Sequence, residues 1–264
     1  MSETKDAEAA LFRMPTVKAA TPGAPWRWVS RGLSDMKAAP GASLFYGGIF
    51  AIMGALLDTF IRVAALELAL VTGFLIVAPF LAVGLYDISR TLERGRSVVF
   101  SHTLVAWQAN APALGFYALI LALLLAVWIR VSVVVVALFF ASELPSEGSL
   151  LVQLASTPEG WVFMATYAAA GIGFALLVFS TSAVSIPMLL DRYRMDTLTA
   201  MITSVNVLRR NFWTMILWAA VIVVLIGVGF FTWYLGLIIT GPVVGMASWH
   251  AYRDCVERDG GPPG

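Results

Sequence analysis

Of the 17 Lys and Arg residues in this chain, all but Arg62 and Arg130 fall in four segments, 1–43, 87–112, 188–211 and 250–264. Apolar stretches separate those segments. A helix needs about 20 mostly apolar residues to cross ~30 Å of hydrocarbon, and basic residues beside the ends of spans mark the cytoplasmic side. The pattern predicts an all-α membrane protein with both termini inside. Composition points the same way, because 59% hydrophobic and 12% charged residues lie far from the roughly 45–50% and 25% of soluble domains. A formal net charge of +1 gives nucleic-acid binding no support. The single cysteine, Cys255, excludes an intrachain disulfide and is expected to face the reducing cytosol.

Six spans are expected. Span one starts near Ser43-Leu44-Phe45-Tyr46-Gly47 and stays apolar to Leu57. Span two, about Leu66 to Tyr86, follows at once and would form a tight antiparallel hairpin with it. Span three begins after Pro112 and remains apolar to Ala141 except at Arg130, about 29 residues in all. It is therefore either overlong or broken beyond Arg130, with Val131–Phe140 as a separate interfacial piece. Span four covers about Trp161 to Leu190. The block Phe212 to Trp249 divides into span five, 212–231, and span six, 234–250, around a turn at Thr232-Trp233-Tyr234 whose aromatics suit the bilayer interface. The domain reading is a polar cytoplasmic segment 1–42, a six-span domain 43–250 and a cytoplasmic tail 251–264. Residues 1–42 hold no apolar core of a secretory signal, so span one is expected to direct targeting.

Two cytoplasmic connections show helical patterning. Leu198, Met201, Ile202, Val205 and Leu208 form an amphipathic stripe, and Asp196 stands where an N-terminal cap belongs. Phe100, Leu104, Trp107 and Ala111 make a weaker stripe, and each segment reaches an Asn, Asn110 or Asn211, just before the next span. Pro79 to Arg90 also aligns without a gap on Pro242 to Arg253, matching proline, small residue, aromatic, polar residue and arginine. That suggests spans two and six as like elements of a duplicated bundle.

Ser43 to Gly47, Pro79 to Arg90, Ser185-Ile-Pro187-Met-Leu-Leu-Asp191-Arg192, Asn211 with Trp218, and Pro242 through Gly245 to Trp249-His250-Ala251-Tyr252-Arg253 resemble a family of bacterial predicted integral inner-membrane proteins of unknown function. The likeness covers roughly residues 28–257. It implies the bacterial inner membrane and no activity that can be transferred residue by residue. Members sometimes carry the label cytochrome c oxidase subunit I. A haem–copper core needs several intramembrane histidines, whereas this chain has His102 and His250 alone, both expected at the cytoplasmic side. The catalytic-subunit label therefore fails on chemical grounds, and no cofactor or metal is expected. His250 is expected to cap the last turn of span six.

No nucleophile, zinc-protease, Walker or dinucleotide motif is present, so no catalytic residue is expected. Gly241-Pro-Val-Val-Gly245 fits G-x-x-x-G and marks a close helix contact. The remaining candidates are charges at or inside spans. An intramembrane Arg130 would be a functional site by default, but counted from Pro112 it falls near the outer interface, where it can snorkel. Asp58 and Arg62, four apart on one face, would pair at the outer end of span one, with Glu67 close by. Asp191 and Arg192 end span four as interfacial structure or a gate, and Arg253 anchors the end of span six. The expected function is a non-enzymatic scaffold or accessory subunit of a membrane complex, respiratory by the family label alone. Its expected partners are membrane lipids and further copies of itself or a larger assembly. A transporter or channel for a small or amphipathic solute is the alternative, and a lipid-modifying enzyme ranks third.

Overall fold

The computed structural model describes residues 14–60, 81–140, 154, 156–192 and 195–258. Among them the ordered elements are helices, with one isolated bridge joining Val17 to Val256. In chain order these are α1 Ala24–Ala38, α2 Pro40–Phe60, α3 at 81–93, α4 Phe100–Val105, a 3-10 turn Ala106–Asn110, α5 Ala111–Phe139, α6 Pro158–Ser182, α7 Ser185–Asp191, α8 Thr197–Arg210, α9 Phe212–Phe231 and α10 Leu237–Cys255. The chain divides into two compact units, residues 119–180 and the remainder.

Among the described residues three stretches are long and apolar enough to cross a membrane, 100–139, 158–191 and 212–231, and α1 with the first part of α2 adds a fourth if that pair, bent by 111°, counts as one. The expected hairpin between spans one and two, and most of span two, lie outside the described residues.

Span boundaries follow from local chemistry. α5 is one continuous helix from Ala111 to Phe139, so Val131–Phe139 continues span three without a break at Arg130. Span four, expected as a single helix to Leu190, instead stops at Ser182 and restarts at Ser185. Pro187 accounts for this, because it has no N–H to offer the carbonyl of Ala183 and its ring would collide with that carbonyl in a continuous helix. α9 ends at Phe231 as expected, and Trp233 and Tyr234, at φ 54° and 66°, turn the chain in the left-handed region. α10 then runs to Cys255, beyond the expected end at 250.

α10 is the axis of the larger unit. Pro242 inside it removes the hydrogen bond to the carbonyl of Ile238. Gly47 of α2 lies against that same carbonyl, so closely that a Cβ there would fall 2.0 Å from the oxygen. Gly32 of α1 does the same farther along, where a Cβ would meet Ala247 N and Val243 O at 2.8 Å. Small residues thus bring two helices against one backbone, the packing on which apolar bundles rely. Tyr46, Leu81, Leu85, Ile88 and Met246 fill the core between them, and Trp28 of α1 meets Trp218 of α9 edge to face at 5.6 Å.

The amphipathic helix forms as α8, with Asp196 Oδ1 accepting from Thr199 N at 2.8 Å. Its packing is the reverse of the usual arrangement. Thr197, Ala200, Thr203, Ser204 and Val207 are buried, while Leu198 and Ile202 of the apolar stripe are exposed. The second stripe is not one helix but α4 followed by the 3-10 turn.

Candidate functional site

At the end of α10, five side chains in a row except Ala251 reach other elements. Successive residues on a helix turn by about 100°, so the run Trp249 to Asp254 points in every direction. Trp249 Nε1 donates to Glu93 of α3 at 2.9 Å. His250 Nε2 lies 2.8 Å from Asp35 Oδ2 of α1. Tyr252 donates to Asp191 at the end of α7 at 2.9 Å. Arg253 bridges Glu93 at 3.1 Å and Asp191 at 3.2 Å, and Asp254 accepts from Trp28 Nε1 at 2.8 Å and from Arg31 at 3.3 Å. Arg258 adds a second guanidinium to Glu93. One helix terminus thereby fastens α1, α3 and α7.

Asp191 is the most crowded carboxylate. Its Oδ2 takes Tyr252 and Arg253, and its Oδ1 faces Arg90 Nε and Arg94, each at 3.6 Å. The gap-free alignment of Pro79–Arg90 on Pro242–Arg253 pairs Arg90 with Arg253, and these two arginines converge on this one acid. Arg192, next in the chain, is buried and donates to Tyr252 Oη and to the carbonyl of Glu257.

The network shapes the ionisation of its members. Burial pushes the carboxyl of Glu93 up, but hydrogen bonds from Trp249, Arg253 and Arg258 and the charge of Arg253 outweigh it, leaving its pKa below the usual carboxylate value. Asp87 goes the other way, because burial raises it more than Arg90, Arg94 and His102 lower it. Burial pushes the Cys255 thiol up to about 12, and its side chain is enclosed rather than presented to the cytosol.

Backbone clamps complete the arrangement. Asn110 donates to the carbonyls of Leu189 and Met195 at 3.1 and 3.0 Å. Asn211 accepts from Ala20 N at 2.7 Å and donates to Lys18 O at 2.9 Å. Lys18 N in turn donates to Cys255 O at 2.8 Å. The two asparagines singled out by position therefore do equivalent work, each holding a distant strand of backbone.

Of the other candidates, the side chain of Asp58 and all of Arg62 and Glu67 lie outside the described residues, as does any pairing among them. Arg130 sits on α5, exposed and without an ion pair among the described residues. His250 lies within α10 rather than at its end and is taken up by Asp35, and His102 lines a cleft with Arg90 and Arg94. Among the described residues no three His, Cys, Asp or Glu side chains gather as they would around a metal ion. Sequence reasoning missed Asp35, Glu93, Asp254 and Trp28. Their signal was present in principle, as acids or donors on neighbouring helices able to answer the Trp249–Arg253 run.

A second feature is apolar. Phe50, Tyr86, Ile226, Phe230, Leu237 and Val244 line much of a cavity of about 380 Å³ among α2, α3, α9 and α10.

Residues 67–191 match the model of a family described as a predicted integral membrane protein, DUF2189, in keeping with the uncharacterised membrane proteins that the motifs resemble. That segment contains α3, Asp191 and the Arg90–Arg94 pair, so half of the network lies within the matched region and α10 lies beyond it. No curated protein and no solved structure matches the chain. This is an integral membrane protein with apolar helices of membrane-spanning length.

Proposed function

We propose that the chain is a six-span protein of the bacterial inner membrane, with both termini cytoplasmic, that acts as a non-enzymatic scaffold or accessory subunit. The observation that carries this reading is the use of charge at the end of α10. Every ionic side chain there is engaged in fastening one helix to another, which makes a rigid base rather than an open reactive site. The convergence of Arg90 and Arg253 on Asp191 supports a duplicated origin for spans two and six. The long helices α5 and α6 present apolar surface to lipid or to a further chain. The test is purification in mild detergent, with measurement of particle mass and identification of stoichiometric partners. A defined homo-oligomer or heteromeric complex is expected. A bare monomer that moves solute across proteoliposomes would overturn it.

The apolar cavity favours a second reading, a carrier of an amphipathic solute. Its walls would accept an acyl or aromatic group, and Pro242 removes one backbone hydrogen bond inside α10, a point at which the helix of such a carrier could bend. Narrowing the cavity with Val244→Phe, at a half-buried lining position, should leave assembly intact under the first reading and abolish transport under the second.

A further inference from the structure

The link between α3 and α5 encloses a pocket of about 660 Å³ lined in part by Asp87, Arg90, Arg94, Arg96, His102 and Thr103. Three guanidiniums and an imidazole there face a single carboxylate of the pocket wall. The neighbouring acid does not balance them. Asp191 gives its Oδ2 to Tyr252 and Arg253, and its Oδ1 stands 3.6 Å from both Arg90 and Arg94, an attraction but not a hydrogen bond. Arg90 is also 3.9 Å from Asp87, and its buried Nε has no hydrogen-bond acceptor. Arg94 is about half exposed, and Arg96, exposed, has no ion pair among the described residues. Planar guanidinium forks left without acceptors match the oxygens of a phosphate, which can take two at a time.

Part of the lining of the same pocket is apolar. Val99 and Val105 line it, and both are exposed along with Phe100 and Leu104 on α4. The pocket also lies wholly within the segment that matches the integral-membrane family, directly before α5, an apolar helix of spanning length. A soluble anion would use the arginines alone. A lipid would use both features, its phosphate on the arginines and its glycerol and acyl chains over the α4 residues.

We propose that this pocket binds the phosphate headgroup of an anionic phospholipid, with Arg94 and Arg96 as the recognition residues and Arg90 as the charge behind them. The site stands apart from the choice between scaffold and carrier.

The test uses the full chain in mild detergent, titrated with phosphatidylglycerol, phosphatidylcholine or inorganic phosphate and followed by native mass spectrometry. Phosphatidylglycerol is expected to bind at least tenfold more tightly than phosphatidylcholine. Arg96→Gln should weaken it several-fold, and Arg94→Gln with Arg96→Gln on the order of tenfold or more. Arg209→Gln, an exposed arginine on α8, should change nothing. Arg96 holds no other element, so its single variant is expected to elute as folded protein and keeps the test decisive if the double variant does not. Equal binding of the two lipids, or full retention of phosphatidylglycerol by Arg96→Gln and the double variant, would overturn the proposal. Saturation by millimolar inorganic phosphate with no gain from the lipid would overturn the lipid as its source.

Discussion

In the unit formed by residues 119–180, aromatic rings make the side-chain contacts. Trp128 packs on Tyr167 and Phe174 at 5.7 and 5.3 Å, Phe163 receives Phe139 and Phe140, and Tyr167 adds one hydrogen bond to Ser132. At the end of α10 in the other unit, contacts are made by charges and indoles, each with a named partner on another helix. The contrast follows from solvent. Only 6% and 0% of the apolar windows of 100–139 and 158–191 are buried, against 28% for α9. Ring packing is compatible with lipid on all sides, because it leaves no polar group to satisfy. Charges need water or each other, and cluster where the helices leave the hydrocarbon.

That difference is sharpest where backbones touch. Gly47→Ala would force a Cβ into the carbonyl of Ile238, an atom that cannot rotate away, and should cost about 3 kcal/mol or more. Gly173 in α6 has nothing within 4 Å of its added Cβ, so Gly173→Ala should be neutral or stabilising by up to about 1 kcal/mol. Detergent-denaturation midpoints for the two variants measure this directly. Similar costs for both would erase the distinction between a tightly packed unit and a lipid-facing one.

Next in size is the carboxylate hub. Asp191→Asn keeps the shape and the hydrogen bond from Tyr252 but removes the charge that faces Arg90, Arg94 and Arg253. A loss of about 2–3 kcal/mol is expected, the scale of hydrogen bonds to charged groups. Thermal unfolding followed by tryptophan fluorescence suits the measurement, because Trp249 and Trp28 report from inside the network. A change below about 0.5 kcal/mol would mean that the cluster is ornament on an apolar bundle.

A smaller effect should appear on acidification. Glu93 has a folded pKa below its ordinary value of 4.5. Its contribution is therefore complete above that value and is lost as pH falls through the folded pKa. Asp87, whose pKa is raised, has the opposite sign: its ionised form opposes folding at neutral pH, and protonation relieves that cost. Stability curves from pH 7 to pH 3 should fall for the parent chain, and Glu93→Gln should flatten them by an amount on the order of 1 kcal/mol. Asp87→Asn should steepen them. An acid response of Glu93→Gln identical to that of the parent would show that the Glu93 contacts with Trp249 and Arg253 do not hold in solution.

Much of the larger-unit framework was legible in the sequence, for reasons visible in particular residues. The end of α9 at Phe231 could be read because an apolar block of that length must turn once, and Asp196 could be read as a cap because its chemistry is local. The break at Ser182 is not legible from apolar length alone, since it depends on Pro187 as a missing donor for Ala183. The orientation of α8 could not be read from its stripe. In a membrane protein the apolar face need not point inward, and here Thr203 and Ser204 do so instead. The network around α10 was half legible: Arg253, His250 and Asp191 stood out as interfacial charges, but their partners Asp35, Glu93 and Asp254 lie far away in sequence, and only the fold brings them together.

The smallest expected effect concerns Arg130, which tests the comparison from the apolar side. It lies 19 residues after Ala111 on an unbroken helix, and at 1.5 Å per residue that is roughly 28 Å along the axis, close to the ~30 Å thickness of the hydrocarbon. Its side chain is exposed and faces no acid among the described residues. A guanidinium so placed can extend to headgroups and water without a partner. Arg130→Lys and Arg130→Gln should then both unfold within about 0.5 kcal/mol of the parent, since neither strands a buried charge. If instead the arginine is needed at depth, Arg130→Gln should lose several kcal/mol, and Glu67→Gln or Asp58→Asn should restore it. That rescue would place an ion pair inside the apolar bundle and raise the carrier above the scaffold.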